Sequence, residues 1–233
     1  GVLDIRPRRG SVVEGMVYAV DHEGWQTLDQ KEGVGALYEH YPVRLADEQG
    51  ALFSAGTYSI PSSRAESFVS PNPAYVDVVR RGYNAHGLDV ESLEEASRNV
   101  HPTGQVDSLF LYGTCMRGEE RFDALAKVAK FECILTAEAS GEMFDFGFYP
   151  AVTAASEGSV SGEFMRATNI GEVLEWLDDI EGFRGYDDPT ESLFERTLCS
   201  VDVGEGRRRR AWTYRFVEPT GSVTRIPSGD WRA

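Results

Sequence analysis

One sequence template occurs twice in this chain, and an internal repeat restricts the fold more than any single motif, because both copies are expected to adopt similar structures. The first copy reads GSVVEGMVYAVDHEGWQTLDQKEGV over residues 10–34, and the second reads GSVSGEFMRATNIGEVLEWLDDIEGF over residues 158–183. Each copy continues with a charged strand pattern, a polar turn and a strand with a Thr-Tyr pair, at 57–58 and 213–214. Because the order of parts is the same throughout, the sequence predicts a duplicated domain.

The first copy lacks the opening of the template. In the second copy the stretch DSLFLYGT begins at Asp107, well ahead of its Gly-Ser-Val, whereas nine residues precede Gly10. We therefore expect a partial first domain over 1–95, a linker over 96–106 and a complete second domain over 107–233. Missing strands would leave open sheet edges, which soluble proteins avoid. For this reason an upstream segment of the natural protein, or a second chain, is expected to complete the first domain.

Composition limits the classes of function. A chain of 233 residues with 41% hydrophobic residues can bury one large core or two small ones. Its formal net charge of -15 disfavours nucleic acids and anionic membrane surfaces as partners. No apolar run in the sequence approaches the length of a membrane span. The sequence therefore predicts a cytoplasmic protein that acts on small molecules.

The cysteines do not indicate a disulfide framework or a zinc site. Cys115, Cys133 and Cys199 are odd in number and lack the spacing of zinc ligands. We expect three free thiols and no bound metal.

The helix ahead of the second Leu-Asp-x-x-Glu-Gly motif can be bounded from the sequence. Asn169 is expected to be its N-cap, with Glu172 returning a capping hydrogen bond, and Gly182 is expected to end it. Apolar residues recur at helical spacing between these ends, at Ile170, Val173, Leu174 and Leu177. These signals predict an amphipathic helix whose last turn contains the shared glutamate.

That glutamate is Glu181, and Glu32 takes the same position in the first copy, directly before Gly33. The carboxyl end of a helix is negative, so it disfavours a carboxylate and raises the carboxyl pKa. A residue whose position lowers the stability of the fold can mark a functional site. A solvated acid ahead of a helix stop is the alternative interpretation.

The stretch FLYGTCMRG, residues 110–118, places a glycine-rich turn directly after a buried apolar strand. Consecutive main-chain N–H groups in such a turn can bind an anion, for example a carboxylate. A helix is expected directly afterwards, over residues 119–131, and its positive N-terminus would add to this attraction. A plain tight turn is the alternative.

Several motifs together resemble the gamma-glutamylcyclotransferases, including the AIG2-like and BtrG-like proteins. In the second copy they are FLYGTCMRG, FDFGFYPAV, GSVSGEF, LDDIEGF, LFERT and the terminal IPSGDW, spread over residues 107–231. The first copy is similar to the latter part of the same fold through LDQKEGV and residues 68–88, but no YGT motif precedes Gly10. The resemblance implies an α+β fold with a mixed, β-barrel-like domain in two tandem copies, as in tandem bacterial members, the first copy lacking its N-terminal strands.

The resemblance also implies a reaction. The α-amine of a gamma-glutamyl amide attacks its own side-chain carbonyl, which releases 5-oxoproline and a free amine without a metal or cofactor. Glu181, its pKa raised by the helix end and by partial burial, would act as general base and acid, and Glu32 would do so in the first copy. The small-molecule substrate would be held by Tyr149 and by the YGT loop, which consists of Tyr112, Gly113, Thr114, Cys115 and Met116. The identity of the leaving amine stays open.

Two other classes of function compete with this hypothesis. The first is a non-catalytic module that binds gamma-glutamyl or carboxylate ligands. The second is an acyltransferase that uses Cys115 as its nucleophile, which would require a base partner. None of the four histidines lies in the shared motifs of the second copy, so the sequence does not favour a thiol mechanism.

Overall fold

A computed structural model of the chain describes residues 1–47, 50–100, 104–155, 157–186, 191–217, 221 and 223–233. The chain divides into two compact units. Unit 1 consists of Gly1–Val43 and Ser54–Gln105, and unit 2 of Arg44–Phe53 and Val106–Ala233. Of the predicted linker, residues 101–103 lie outside the described residues.

The first copy of the template forms three helices and a two-stranded sheet. Its elements are α1 (His22–Glu32), β1 (Glu39–Ala46), β2 (Leu52–Ser59), α2 (Pro73–His86) and α3 (Val90–Ser97). Asp21 caps α1 by accepting a hydrogen bond from the main-chain N–H of Gly24, and Gly33 ends the helix in the left-handed region at φ 66°. The glutamate at the end of α1 therefore has the position that the repeat predicts.

The apolar stretch ahead of α1 has no strand partner among the described residues. Val13, Val17 and Tyr18 in this stretch are 65%, 55% and 68% exposed. The corresponding stretch of the second copy lies inside a closed barrel. Among the described residues, no strand precedes this stretch, in agreement with the partial first copy predicted from the sequence.

The second copy forms two sheets and two helices. Its elements are β3 (Ser108–Leu111), α4 (Phe122–Val128), β4 (Phe131–Ser140), β5 (Glu142–Asp145), β6 (Pro150–Thr153), β7 (Ser159–Ala167), α5 (Ile170–Glu181), β8 (Phe194–Asp202), β9 (Arg208–Phe216) and β10 (Thr224–Ile226). Five strands close into a barrel in the order β3-β7-β4-β8-β9, and a separate sheet has the order β10-β5-β6. This architecture confirms the predicted α+β, barrel-like fold.

The barrel is held by pairings between strands that are distant in sequence. β7 pairs antiparallel with β3 on one side and with β4 on the other, and β9 runs parallel to β3 where the barrel closes. The interior is small and apolar, and its largest members are Phe110, Tyr112, Met143 and Phe164. Because β3 is buried along its whole length, the YGT loop starts from a rigid strand.

The predicted apolar stripe of α5 is confirmed, but its predicted capping box is wrong. All four stripe residues are buried. Asn169 occupies the N-cap position, yet its side-chain oxygen accepts a hydrogen bond from the main-chain N–H of Lys130 at 2.8 Å instead of capping the helix. Its amide group donates to Glu172 at 2.7 Å and to the carbonyl of Val128 at 2.9 Å. The side chain therefore ties α5 to the end of α4.

The helix after the YGT loop is shorter than the sequence suggests. It begins at Phe122 rather than at residue 119, because the preceding residues form tight turns in which the N–H of Glu119 donates to Met116 and that of Arg121 to Thr114. Leu125, a residue of this helix, is fully buried. A helix of this length adds little to the attraction for an anion.

In the part of the chain that the structure describes, none of the helices has both the length and the apolar character needed to cross a membrane.

Candidate active site

Glu181 lies on the wall of a cavity of about 160 Å³ in unit 2. α5 ends at this residue, because Gly182 adopts φ 66° and its N–H returns to the carbonyl of Asp178. Glu181 keeps some surface open to the cavity, but protein atoms surround it, and this burial raises the pKa of its carboxyl group from 4.5 to about 7. The charge of Arg121 acts in the opposite direction. Of the two causes expected from the sequence, the helix end and partial burial, burial is the main physical cause of the shift.

The cavity brings together six of the eight residues singled out in the sequence. They are Tyr112, Gly113, Thr114, Cys115, Tyr149 and Glu181. Met116 is not in the lining, since it is 1% exposed and its N–H donates to the carbonyl of Gly113 at 2.9 Å. Glu32 belongs to unit 1. The remaining lining includes Arg121, which the sequence analysis did not single out.

The YGT loop offers main-chain donors to this cavity. Within the described ranges, no acceptor is bonded to the N–H groups of Gly113, Thr114 or Cys115. A Cβ atom at position 113 would lie 2.7 Å from a ring carbon of Pro150, so that only glycine fits without displacing the proline. Three consecutive donors beside a raised-pKa carboxyl group suit a ligand that carries both an anion and a protonated amine.

Models of two known families match this chain. A family model described as gamma-glutamyl cyclotransferase, AIG2-like, matches residues 109–233, which is more than half of the chain. The chain belongs to this family. A second model, described as the AIG2-like family, matches residues 12–94. The two matches confirm the tandem arrangement predicted from the repeat.

Solved structures of similar proteins each cover about half of this chain. YkqA from Bacillus subtilis is 27% identical, over 54% of this chain and 39% of that chain, with a TM-score of 0.40. An AIG2-like protein from Mus musculus is 21% identical, over 47% of this chain and 76% of that chain, with a TM-score of 0.38. The protein ytfP from Escherichia coli is 21% identical, over 53% of this chain and 95% of that chain, with a TM-score of 0.35. This chain thus spans well under half of the length of YkqA. A comparison with curated proteins gives no match.

In this cyclotransferase-family domain, a buried glutamate fixes the residue that directly follows the YGT loop. Glu163, on β7, is 4% exposed and accepts hydrogen bonds from the main-chain N–H of Arg117 at 2.8 Å and from its Nε at 3.0 Å. Arg232 adds a hydrogen bond to the carbonyl of Arg117. In the first copy, which has no YGT motif, Met16 follows the shared glycine where Glu163 follows it in the second. A glutamate at this position in the second copy, against a methionine in the first, is the sequence signal that could have identified Glu163 as a support of the loop.

A second buried network holds the end of α5. Asp178 accepts two hydrogen bonds from Arg196, at 2.7 and 2.5 Å, and one from the hydroxyl of Tyr214 at 2.7 Å. Arg196 also lies within 4.9 Å of the ring centre of Phe183. Asp178 is one helical turn before Glu181, so the network fixes the turn that carries the cavity carboxyl group.

Unit 1 repeats this network in a more exposed form. Asp29 bonds to His40 at 2.7 Å and accepts a hydrogen bond from the hydroxyl of Tyr58 at 2.7 Å. These bonds, to His40 first, hold the pKa of Asp29 below its usual value. Asp29 corresponds to Asp178 in the repeat, and Tyr58 corresponds to Tyr214. This correspondence is the sequence signal that could have revealed the network.

The thiol of Cys115 is poorly suited to nucleophilic catalysis. Burial, and secondarily the carboxyl group of Glu181, raises its pKa to about 12. Among the described residues that line the cavity, none is a histidine able to act as its base. No cluster of three or more His, Cys, Asp and Glu side chains in the described ranges is placed to hold a metal ion.

Proposed function

We propose that this chain is a gamma-glutamylcyclotransferase that converts a gamma-glutamyl amide to 5-oxoproline and a free amine. One observation carries the proposal: a carboxyl group whose pKa is raised by burial to about 7 shares a cavity with three unbonded N–H donors of the YGT loop. Membership of the AIG2-like family supports the same reaction class.

Glu181 is the proposed proton carrier. An α-amine has an ordinary pKa of about 7.7 to 8, so most of it is protonated at neutral pH and cannot attack a carbonyl. The carboxylate takes this proton, and the amine nitrogen then forms a bond to the γ-carbonyl carbon. The protonated carboxyl group next gives a proton to the amide nitrogen, and the regenerated carboxylate takes the second proton from the ring nitrogen. The oxyanion re-forms the carbonyl as the original C–N bond breaks, and the amine departs, taking the remaining proton from the carboxyl group as an ammonium ion. A carboxyl group with a pKa near neutral pH suits both steps.

The YGT loop is proposed to hold the anionic parts of the substrate. Its N–H groups at 113–115 would bind the α-carboxylate and stabilise the negative charge that develops on the γ-carbonyl oxygen. Tyr112 has a supporting role, because its hydroxyl is buried and donates to the carbonyl of Tyr214 at 2.6 Å. Tyr149 is stacked on Phe146 and would provide an apolar wall for the substrate chain.

Glu32 has the same position on its helix as Glu181, but the described residues of unit 1 include no counterpart of the YGT loop. We therefore assign the turnover of this chain to Glu181. Replacement of Glu32 by glutamine serves as the matched control for replacement of Glu181.

Release of 5-oxoproline from a panel of gamma-glutamyl compounds tests the proposed reaction. The panel contains a gamma-glutamyl amino acid, a gamma-glutamyl alkylamine, Nε-(gamma-glutamyl)lysine and glutathione, with detection by mass spectrometry. We expect at least one compound to be turned over, and Cys115→Ala to retain the activity within a few-fold. Binding without release would favour a non-catalytic module, and loss of activity in Cys115→Ala would favour a thiol mechanism.

A further inference from the structure

The cavity contains a cation that the proposed mechanism has not used. Arg121 lines the cavity, and its main-chain N–H donates to the carbonyl of Thr114 at 2.8 Å, which fixes its backbone beside the YGT loop. In the described part of the chain, no carboxylate pairs with its guanidinium group and no acceptor bonds to it. Two other arginines of this domain, Arg117 and Arg196, are instead paired with Glu163 and Asp178.

A guanidinium group on a cavity wall that makes no salt bridge or hydrogen bond with the described residues favours an anionic ligand, and its charge also acts on Glu181. Guanidinium and carboxylate groups form charge-assisted hydrogen bonds that are about twice as strong as neutral ones. Among the described lining residues, Arg121 supplies the one cationic side chain and Glu181 the one acidic side chain. A carboxylate beside Arg121 would also lie near the N–H donors of the YGT loop, because the main chain of Arg121 is bonded to that loop.

We propose that Arg121 selects substrates with a free α-carboxylate, by pairing with that group beside the N–H donors of the YGT loop. The inference rests on the proposed function and identifies a specificity-determining residue within it. The α-carboxylate and the attacking α-amine are attached to one carbon, so fixing the first restricts the position of the second. An amide or ester of the α-carboxyl group would lose this pairing while keeping the reacting groups.

Arg121 also acts on the proton carrier. Among described residues, the titratable groups around Glu181 are Tyr112, Cys115, Tyr214 and Arg121. Burial raises the pKa of each of the first three well above neutral pH, so they are uncharged there. The positive charge of Arg121 lowers the pKa of Glu181, so its removal should raise that pKa further. A role in packing alone would not produce this change.

Binding of 5-oxoproline and of its neutral analogue 5-oxoprolinamide, measured by calorimetry, separates this proposal from the catalytic one. The variants are Arg121→Met, Arg121→Lys and, as a control, Lys127→Met, which removes an exposed charge from the helix that begins directly after Arg121. We expect wild type to prefer the acid, and Arg121→Met to weaken binding of the acid by about tenfold to a hundredfold, the effect of one charge-assisted hydrogen bond. Binding of the amide should change less than about threefold, since a neutral group gains little from the cation. Arg121→Lys should bind the acid with intermediate affinity, and Lys127→Met should bind it as tightly as wild type.

Three results would overturn the inference: no binding of 5-oxoproline by wild type at millimolar concentration, no preference for the acid, or equal losses for both ligands in Arg121→Met. Failure of the proposed function looks different. A wild-type chain that binds 5-oxoproline through Arg121 but releases none from the gamma-glutamyl panel would retain the carboxylate site and exclude the reaction. A chain that turns over the panel but whose Arg121→Met variant binds the acid as tightly as wild type would retain the reaction and exclude the carboxylate site.

Discussion

Replacement of Glu181 by glutamine is expected to reduce 5-oxoproline release by about a hundredfold to ten-thousandfold, the range typical for loss of a general acid-base group. An amide has nearly the same size as a carboxyl group but cannot exchange the proton between the attacking and leaving nitrogens. The rate is measured with the best compound of the gamma-glutamyl panel under saturating conditions. Glu32→Gln is expected to retain the wild-type rate. A Glu181→Gln variant within a few-fold of wild type would exclude the assigned role.

The pH dependence of stability provides a control for this variant. Burial raises the pKa of Glu181 from 4.5 to about 7, so the folded state disfavours the charged form. Wild type therefore loses stability as the pH rises from 4.5 through 7, whereas glutamine carries no charge at either pH. We expect Glu181→Gln to match wild type at pH 4 and to be the more stable protein at pH 8. Its loss of turnover can then not be attributed to unfolding.

The largest loss of stability is expected for Asp178→Ala. The side chains of Asp178 and Arg196 are 11% and 8% exposed, and the substitution would leave the guanidinium group buried without its carboxylate. Removal of one partner of a buried ion pair costs about 3 to 5 kcal/mol. Urea unfolding followed by tryptophan fluorescence and circular dichroism gives the change in the free energy of unfolding. Turnover should fall as well, because the last turn of α5 loses its anchor.

Asp29→Ala is the matched control in the first copy. Asp29 makes the same two types of side-chain contact as Asp178, but its side chain and that of His40 are 33% and 53% exposed. Water can solvate the polar groups that this substitution leaves behind, so its effect on stability should be clearly smaller. Equal effects of the two substitutions, or a loss below about 1 kcal/mol for Asp178→Ala, would contradict the importance assigned to burial of the pair.

The features predicted from the sequence are those encoded locally. Gly33 and Gly182 end their helices where the repeat places them, and the apolar spacing of α5 identifies its buried face. Short-range rules suffice here because helix stops and amphipathic faces depend on residues within a few positions of each other. The same locality led to the wrong capping box, since the preference of Asn169 for an N-cap was overridden by a hydrogen bond to Lys130.

The parts of the site that the sequence did not reveal depend on distant contacts. Glu163 supports the loop from another strand, and Asp178 finds its partners on β8 and β9, after the chain has closed into a barrel. Arg121 occupies an unremarkable position after two glutamates in the sequence, and its place in the cavity depends on the tight turns that shorten α4. Desolvation of Glu181 is likewise a property of the assembled cavity, so the sequence suggested partial burial beside the helix end but not that burial dominates.

Infrared difference spectroscopy between wild type and Glu181→Gln, recorded across a pH series, isolates the ionisation of the Glu181 carboxyl group and tests its assignment as proton carrier most directly. Burial raises the pKa of this group to about 7, so the carboxyl band should give way to the carboxylate band around neutral pH. A transition near the ordinary value of 4.5 would show an ionised, solvated glutamate, which could not return a proton to the leaving amine at neutral pH.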